Sequence, residues 1–204
     1  MVNGAFVYLA SRSPRRRELM TQAGIPHRLL DVEVDESALP GEIAEHYVER
    51  LARSKAAAAW ASLLGRGQEP APVLAADTTV ALGDQLLGKP EHPQVAEDCL
   101  MALSGQTHRV LTGIAVCYDS QVETRVVTTR VRFKELTREQ TQRYVATGEP
   151  MDKAGAYGIQ GFGAALVAGI EGSDSNVVGL PLLETVELVG LFNVPYWQKL
   201  TSDQ

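Results

Sequence analysis

The 204-residue sequence predicts a mixed α/β fold: an elongated, partly antiparallel sheet with flanking helices, in two lobes around a central cleft. Three observations predict it. Short apolar runs suited to buried strands, Ala5 to Ala10 and Val73 to Ala76, are interspersed with longer segments of helical spacing. Residues 107–119 and 122–134 alternate around Asp119-Ser120, the pattern of one antiparallel hairpin. Charged residues collect directly after the strand-like runs, where α/β sheets gather ligands. The length fits a single domain, 1–204, of two closely joined lobes.

Composition narrows the function classes. Hydrophobic residues are 45% and charged residues 22%, ordinary for a soluble globular chain that buries a substantial core. The net charge of −6 argues against a general nucleic-acid binder, so any anion site must be a local patch. Cys99 and Cys117 form no C-x-x-C and fit free thiols in a reduced cytoplasm better than a disulfide framework. No stretch reaches the length of a membrane span, and the opening apolar run is too short for a secretory signal.

Ala5 to Ala10 reads as a buried strand, followed by a tight turn and a helix that Gly24 ends. Ser13 can cap the helix and Pro14 suits its first position. Arg15, Arg16 and Arg17 then fall in the first turn. Cations there oppose the helix dipole and each other. An incoming anion reverses that conflict, because free N–H groups and guanidinium forks together make a phosphate site. A solvated basic face is the bland alternative.

His27 to Val34 reads as a second strand, with Asp31, Glu33, Asp35 and Glu36 clustered at and beyond its end. Residues 42–64 form a long helix with Ala44, Val48, Leu51, Ala52, Ala58 and Ala59 on one side. Lys55 shares that apolar side, either snorkelling at its edge or aimed at a ligand. Val73 to Ala76 ends in Asp77-Thr78-Thr79, before apolar residues resume. A carboxylate directly after a buried run is costly unless it is paired or holds a metal. Gly83-Asp84 turns a hairpin through Leu86-Leu87 toward Lys89.

Residues 94–103 and 137–147 read as helices, the second capped by Thr137 and closed by Gly148. Residues 155–163 hold four glycines, which permit close backbone approach to a ligand or positive φ. This is neither a P-loop nor a dinucleotide fingerprint. Residues 164–170 are expected as a strand, 173–176 as a turn, and a last helix ends near Gly190. The tail from Asn193 is expected to be loose.

Three kinds of group therefore recur at strand ends. Cations are Arg15, Arg16, Lys55 and Lys89; carboxylates are Asp77 and either Asp35 or Glu36; flexible polar backbone comes from 154–163. Hard carboxylates without soft ligands suit Mg²⁺ or Mn²⁺ shared with phosphates. Cations and a carboxylate-held metal around a phosphate chain are the equipment of phosphoryl chemistry.

The words LASRSPRRREL (9–19), VDES (34–37), Lys55, AADTTV (75–80), GKP (88–90), LSGQTH (103–108), MDKAGAYGIQG (151–161) and VVGLPL (177–182) run in order over nearly the whole chain. Together they resemble the nucleoside triphosphate pyrophosphatases of the Maf family. The resemblance implies a Maf/ITPase-like fold and metal-dependent hydrolysis of a nucleoside triphosphate to monophosphate and pyrophosphate. It implies that Asp77 accepts the water's proton and that Glu36, with Asp77, binds Mg²⁺, Mn²⁺ or Co²⁺. It further implies that Arg15, Arg16, Lys55 and Lys89 hold the phosphates with Ser11, and that Arg15, Thr78 and Gln160 tune base choice. The YGIQG form is similar to the branch that cleaves dTTP, UTP and modified pyrimidine triphosphates. Gln160 offers the donor and acceptor that match N3–H and a carbonyl of uracil or thymine. The expected role is housecleaning of nucleotide pools in the cytoplasm. The partner is the nucleotide alone, with no membrane or stable nucleic acid, and a symmetric homodimer is the default expectation. The alternative is a nucleotide-sensing regulator of septum formation that acts mainly by binding.

Overall fold

The computed structural model describes residues 5–199; the expected domain limits at 1 and 204 lie outside them. Its strands are β1 (Val7–Ala10), β2 (His27–Leu29), β3 (Val73–Leu82), β4 (Gln85–Leu87), β5 (Thr107–Tyr118), β6 (Gln121–Phe133) and β7 (Val167–Glu171). Its α-helices are α1 (Pro14–Gln22), α2 (Ala44–Gly65), α3 (Pro93–Leu103), α4 (Arg138–Val145), α5 (Asp174–Val178) and α6 (Leu182–Gly190). The sheet order is β2-β1-β3-β5-β6-β7, with β4 paired to β3. β1 is parallel to both β2 and β3, whereas β3–β4 and β6–β7 are antiparallel, so the sheet is mixed as expected.

The chain divides into two compact units, one of residues 1–77, 112–127 and 179–204, the other of 78–111 and 128–178. In the first, Ala52, Ala56, Ala59 and Leu63 of α2 pack with Tyr8, Val73, Ala75, Ala115 and Cys117. The small side chains let backbone meet backbone: a Cβ on Gly113 would fall on the carbonyl of Val48. Burying a residue the size of Leu63 contributes about 1.5–3 kcal/mol, so this apolar face, more than helix propensity, holds α2.

In the second unit, Leu100, Leu103, Val131, Phe133, Tyr144 and Leu166 share a core. The alternation predicted for β6 holds there: Thr129, Val131 and Phe133 are buried while Arg130 and Arg132 are exposed. His108, Phe133 and Tyr157 meet edge to face at 4.7–5.4 Å. Burial lowers the pKa of His108 to about 4, so a neutral ring meets the Tyr157 hydroxyl at 2.8 Å from Nε2. Both cysteines are free thiols.

Four local expectations are corrected. β2 stops at Leu29 instead of Val34, because Asp31 and Glu33 turn to the surface and pair with Arg12. Residues 162–166 wind as a 3-10 turn, so β7 begins at Val167 instead of residue 164. The expected turn at 173–176 is the start of α5, whose Asn176 N–H is accepted by Ser173 Oγ. The tail is not loose over residues 193–198, and its last residues, 200–204, lie outside the described ones. Trp197 and Gln198 donate backbone hydrogen bonds to Ala23 and Gly24 at 2.9 and 3.0 Å, and Val194 is buried.

Candidate functional site

β1 delivers its chain into the turn at 11–13, and α1 begins at once. Ser13 caps it, its Oγ accepting from the Arg16 N–H at 3.5 Å, with Pro14 in the first turn as the sequence predicts. Ser11 Oγ accepts from the Ser13 N–H at 3.2 Å and from Arg16 Nη1 at 3.3 Å. Arg16 Nε donates to the Gly179 carbonyl at 2.7 Å. The guanidinium is thus pinned from two sides at the positive end of a helix with no acidic residue in its first turn. Burial lowers its pKa; Asp77 opposes that, the Arg15 charge adds to it, and Glu36 opposes it.

β3 runs through Asp77 to Leu82, as the apolar residues that resume after Thr79 predict. Asp77 is 7% exposed, its surroundings set by the apolar run that precedes it. Lys55, on α2, donates to Asp77 Oδ1 at 2.7 Å and lies 2.6 Å from Glu36 Oε1. The ammonium is not a snorkelling edge residue, since its side chain is only 12% exposed. Desolvation raises the Asp77 pKa, while the Lys55 and Arg16 charges pull it down and Glu36 pushes it up. A carboxylate whose proton affinity is raised by burial, held between cations, has the chemistry of a proton acceptor.

Of Asp35 and Glu36, it is Glu36 that meets Lys55; Asp35 turns to Ser37, whose hydroxyl first and whose N–H, at 2.9 Å from Oδ1, second lower its pKa. The loop that carries Glu36 is fastened by residues that sequence reasoning missed. The Tyr47 hydroxyl donates to the Glu36 carbonyl at 3.0 Å. Arg50 grips Glu42 with two bonds, at 2.6 and 2.7 Å, and donates to the Ser37 carbonyl at 3.0 Å. Tyr47 and Arg50, three apart on α2, were the available signal.

The structure therefore brings Ser11, Arg16, Glu36, Lys55 and Asp77 together, with Arg15 within electrostatic reach. Thr78, Lys89 and Gln160 belong to the second unit. Lys89 and Gln160 are exposed there, and Thr78 follows Asp77 directly on β3. No cluster of three or more His, Cys, Asp or Glu side chains able to hold a metal occurs among the described residues. Two hard carboxylates, Glu36 and Asp77, converge on one ammonium, and that donor set suits a hard cation whose remaining ligands are phosphate oxygens and water.

The glycines of residues 155–163 answer to neighbours within the chain as well as to backbone conformation. Of Gly155, Gly158, Gly161 and Gly163, only Gly155 takes a positive φ, 72°. At the other three a Cβ would meet other parts of this chain: Lys153 at Gly158, Glu149 at Gly161, and the Gly158 carbonyl and Tyr144 hydroxyl at Gly163.

Residues 6–192 match the family model described as Maf-like protein. The chain is 48% identical over 194 residues to a dTTP/UTP pyrophosphatase of Nitrosomonas europaea, covering 91% of this chain and 94% of that one. It is 48% identical over 200 residues to a dTTP/UTP pyrophosphatase of Aromatoleum aromaticum, covering 94% and 97%. A dTTP/UTP pyrophosphatase of Myxococcus xanthus is 52% identical over 187 residues, covering 92% of each chain.

Proposed function

The chain belongs to the Maf family, and from that premise we propose that it is a nucleoside triphosphate pyrophosphatase hydrolysing dTTP and UTP to monophosphate and pyrophosphate. The supporting observation is Asp77, buried and held by Lys55, beside an arginine-bearing helix N-terminus. In this reading Asp77 takes the proton of the water that breaks the α–β anhydride. Lys55 orients Asp77. Arg15, Arg16 and Ser11 hold the phosphates at the positive end of α1, and Lys89 assists them. Thr78, Arg15 and Gln160 set base choice, with Gln160 pairing to the pyrimidine edge.

Glu36 and Asp77 are the residues that would hold a divalent cation (Mg²⁺, Mn²⁺ or Co²⁺), which when bound neutralises charge on the phosphates. The cellular role we assign is removal of excess and modified pyrimidine triphosphates. We place the enzyme in the cytoplasm as a homodimer: two free thiols suit a reducing compartment, and closed two-fold dimers are the commonest oligomers.

The test is a panel of standard and modified triphosphates with monophosphate and pyrophosphate both quantified. The proposal expects equimolar products, fastest from UTP, dTTP or a modified relative. Tight UTP binding without pyrophosphate release would overturn it in favour of a nucleotide sensor.

A further inference from the structure

One carboxylate outside the phosphate cluster has more hydrogen-bond donors aimed at it than any role assigned so far explains. Glu149 Oε1 accepts from the Tyr144 hydroxyl at 2.7 Å and from the Gly163 N–H at 3.0 Å. Its Oε2 accepts from the Phe162 N–H at 2.9 Å. Tyr144 Oη in turn accepts from the Gly158 N–H at 3.0 Å. Lys153 ties down the clasp from below, donating to the Glu149 carbonyl at 2.7 Å. Between the two fastened ends, Gly158 and residues 162–163, the loop carries Gln160 with its side chain exposed.

Two backbone N–H donors and one phenol on a single carboxylate is an oxyanion-like arrangement turned on the protein itself. An ionised carboxylate is an acceptor only, with lone pairs enough for all three. The glycines follow from it. A Cβ at Gly161 would collide with Glu149 Oε2, and a Cβ at Gly163 would lie 2.6 Å from the Tyr144 hydroxyl. The loop has therefore given up side chains to come within reach of this clasp.

We propose that Glu149, relayed by Tyr144, is the positioning residue for base recognition: it fixes the 158–163 loop so that the Gln160 amide meets the pyrimidine edge in one orientation. This rests on the reading of Gln160 as the base reader. A mispointed amide leaves polar groups unpaired, so looseness in the clasp appears as lost discrimination, not as lost phosphate chemistry.

The experiment compares Glu149→Gln, Tyr144→Phe and Gln160→Glu in the full chain, using UTP and ATP as probes and amide hydrogen exchange by NMR. The Glu149 and Tyr144 variants are expected to lower the UTP-over-ATP ratio of kcat/KM about tenfold, through KM for UTP. Exchange at the Phe162 and Gly163 amides should quicken in Glu149→Gln, and at Gly158 in Tyr144→Phe, with the rest of the second unit still protected. The double variant should lose little more than either single, because the two act in one network. If Gln160→Glu loses discrimination while both clasp variants keep it, the clasp has no positioning role and the proposal falls alone. If Gln160→Glu keeps discrimination, the base-reader assignment fails and takes the proposal with it. Should Glu149→Gln not fold, the milder Tyr144→Phe and its exchange pattern still decide.

Discussion

Lys55 and Asp77 meet at 2.7 Å where both side chains are nearly enclosed, 12% and 10% exposed. The pair joins the middle of α2 to the middle of β3. Removing the ammonium would leave the Asp77 charge buried with one partner fewer, and breaking such a pair typically costs about 3–5 kcal/mol. Lys55→Met should therefore lower the denaturant midpoint clearly, as well as abolish turnover. Circular dichroism melts in urea measure the first effect; an unchanged midpoint would show that the two groups do not depend on each other in solution.

Asp77→Asn tests the chemistry apart from the fold. The amide keeps the shape and can still meet Lys55 through its oxygen, but it cannot take a proton. General base catalysis contributes about 10²–10⁴-fold, and kcat for UTP should drop within that range while nucleotide binding by calorimetry persists. Retained turnover would place the base elsewhere.

Much of this cluster was legible because it violates local rules. Three arginines at a helix start oppose the dipole, Lys55 interrupts an apolar face, and Asp77 interrupts a buried strand; such conflicts are where functional positions are sought. What was not legible depends on partners far along the chain or on backbone groups without a signature. Nothing near Asn193 announces that Trp197 and Gln198 will pair with Ala23 and Gly24. The donors of the Glu149 clasp are mostly peptide N–H groups, which every residue but proline has. β2 is cut short because Asp31 and Glu33 find Arg12, a pairing set by tertiary placement.

In the proposed reading, Gln160→Glu replaces the amide donor that meets the pyrimidine carbonyl with a second acceptor. An unmet buried polar group costs about 1–3 kcal/mol, so UTP and dTTP should lose about tenfold to a hundredfold in kcat/KM. Purine triphosphates, which make no such pair, should change far less. Equal losses across the panel would exclude Gln160 from reading the base.

The loop bearing Glu36 has its own pH signature. The hydrogen bonds from Arg50 hold the Glu42 carboxyl down at about 2 from the ordinary 4.5, outweighing a desolvation that pushes it up. A carboxyl depressed by folding adds stability that is present above its unfolded value, near 4.5, and is lost as pH falls through about 2. NMR titration should place the Glu42 midpoint near 2 in the native protein and return it toward 4.5 in Arg50→Ala. Stability of Glu42→Gln should be flatter between those two pH values than that of the parent.

Gly113 tests the contact that holds α2 to β5. A Cβ there would fall on the Val48 carbonyl oxygen, a backbone atom that cannot rotate out of the way as a side chain can. Overpacking of this kind costs about 1–3 kcal/mol, and Gly113→Ala should lower the urea midpoint accordingly with an unchanged m-value. Gly65, at the end of α2, has open space around the same missing atom. Alanine there should be neutral or stabilise by about 0.5–1 kcal/mol, through helix propensity alone. The two substitutions are chemically identical, so a difference of opposite sign isolates the steric contact. If Gly113→Ala matched Gly65→Ala, α2 could not lie against the β5 backbone.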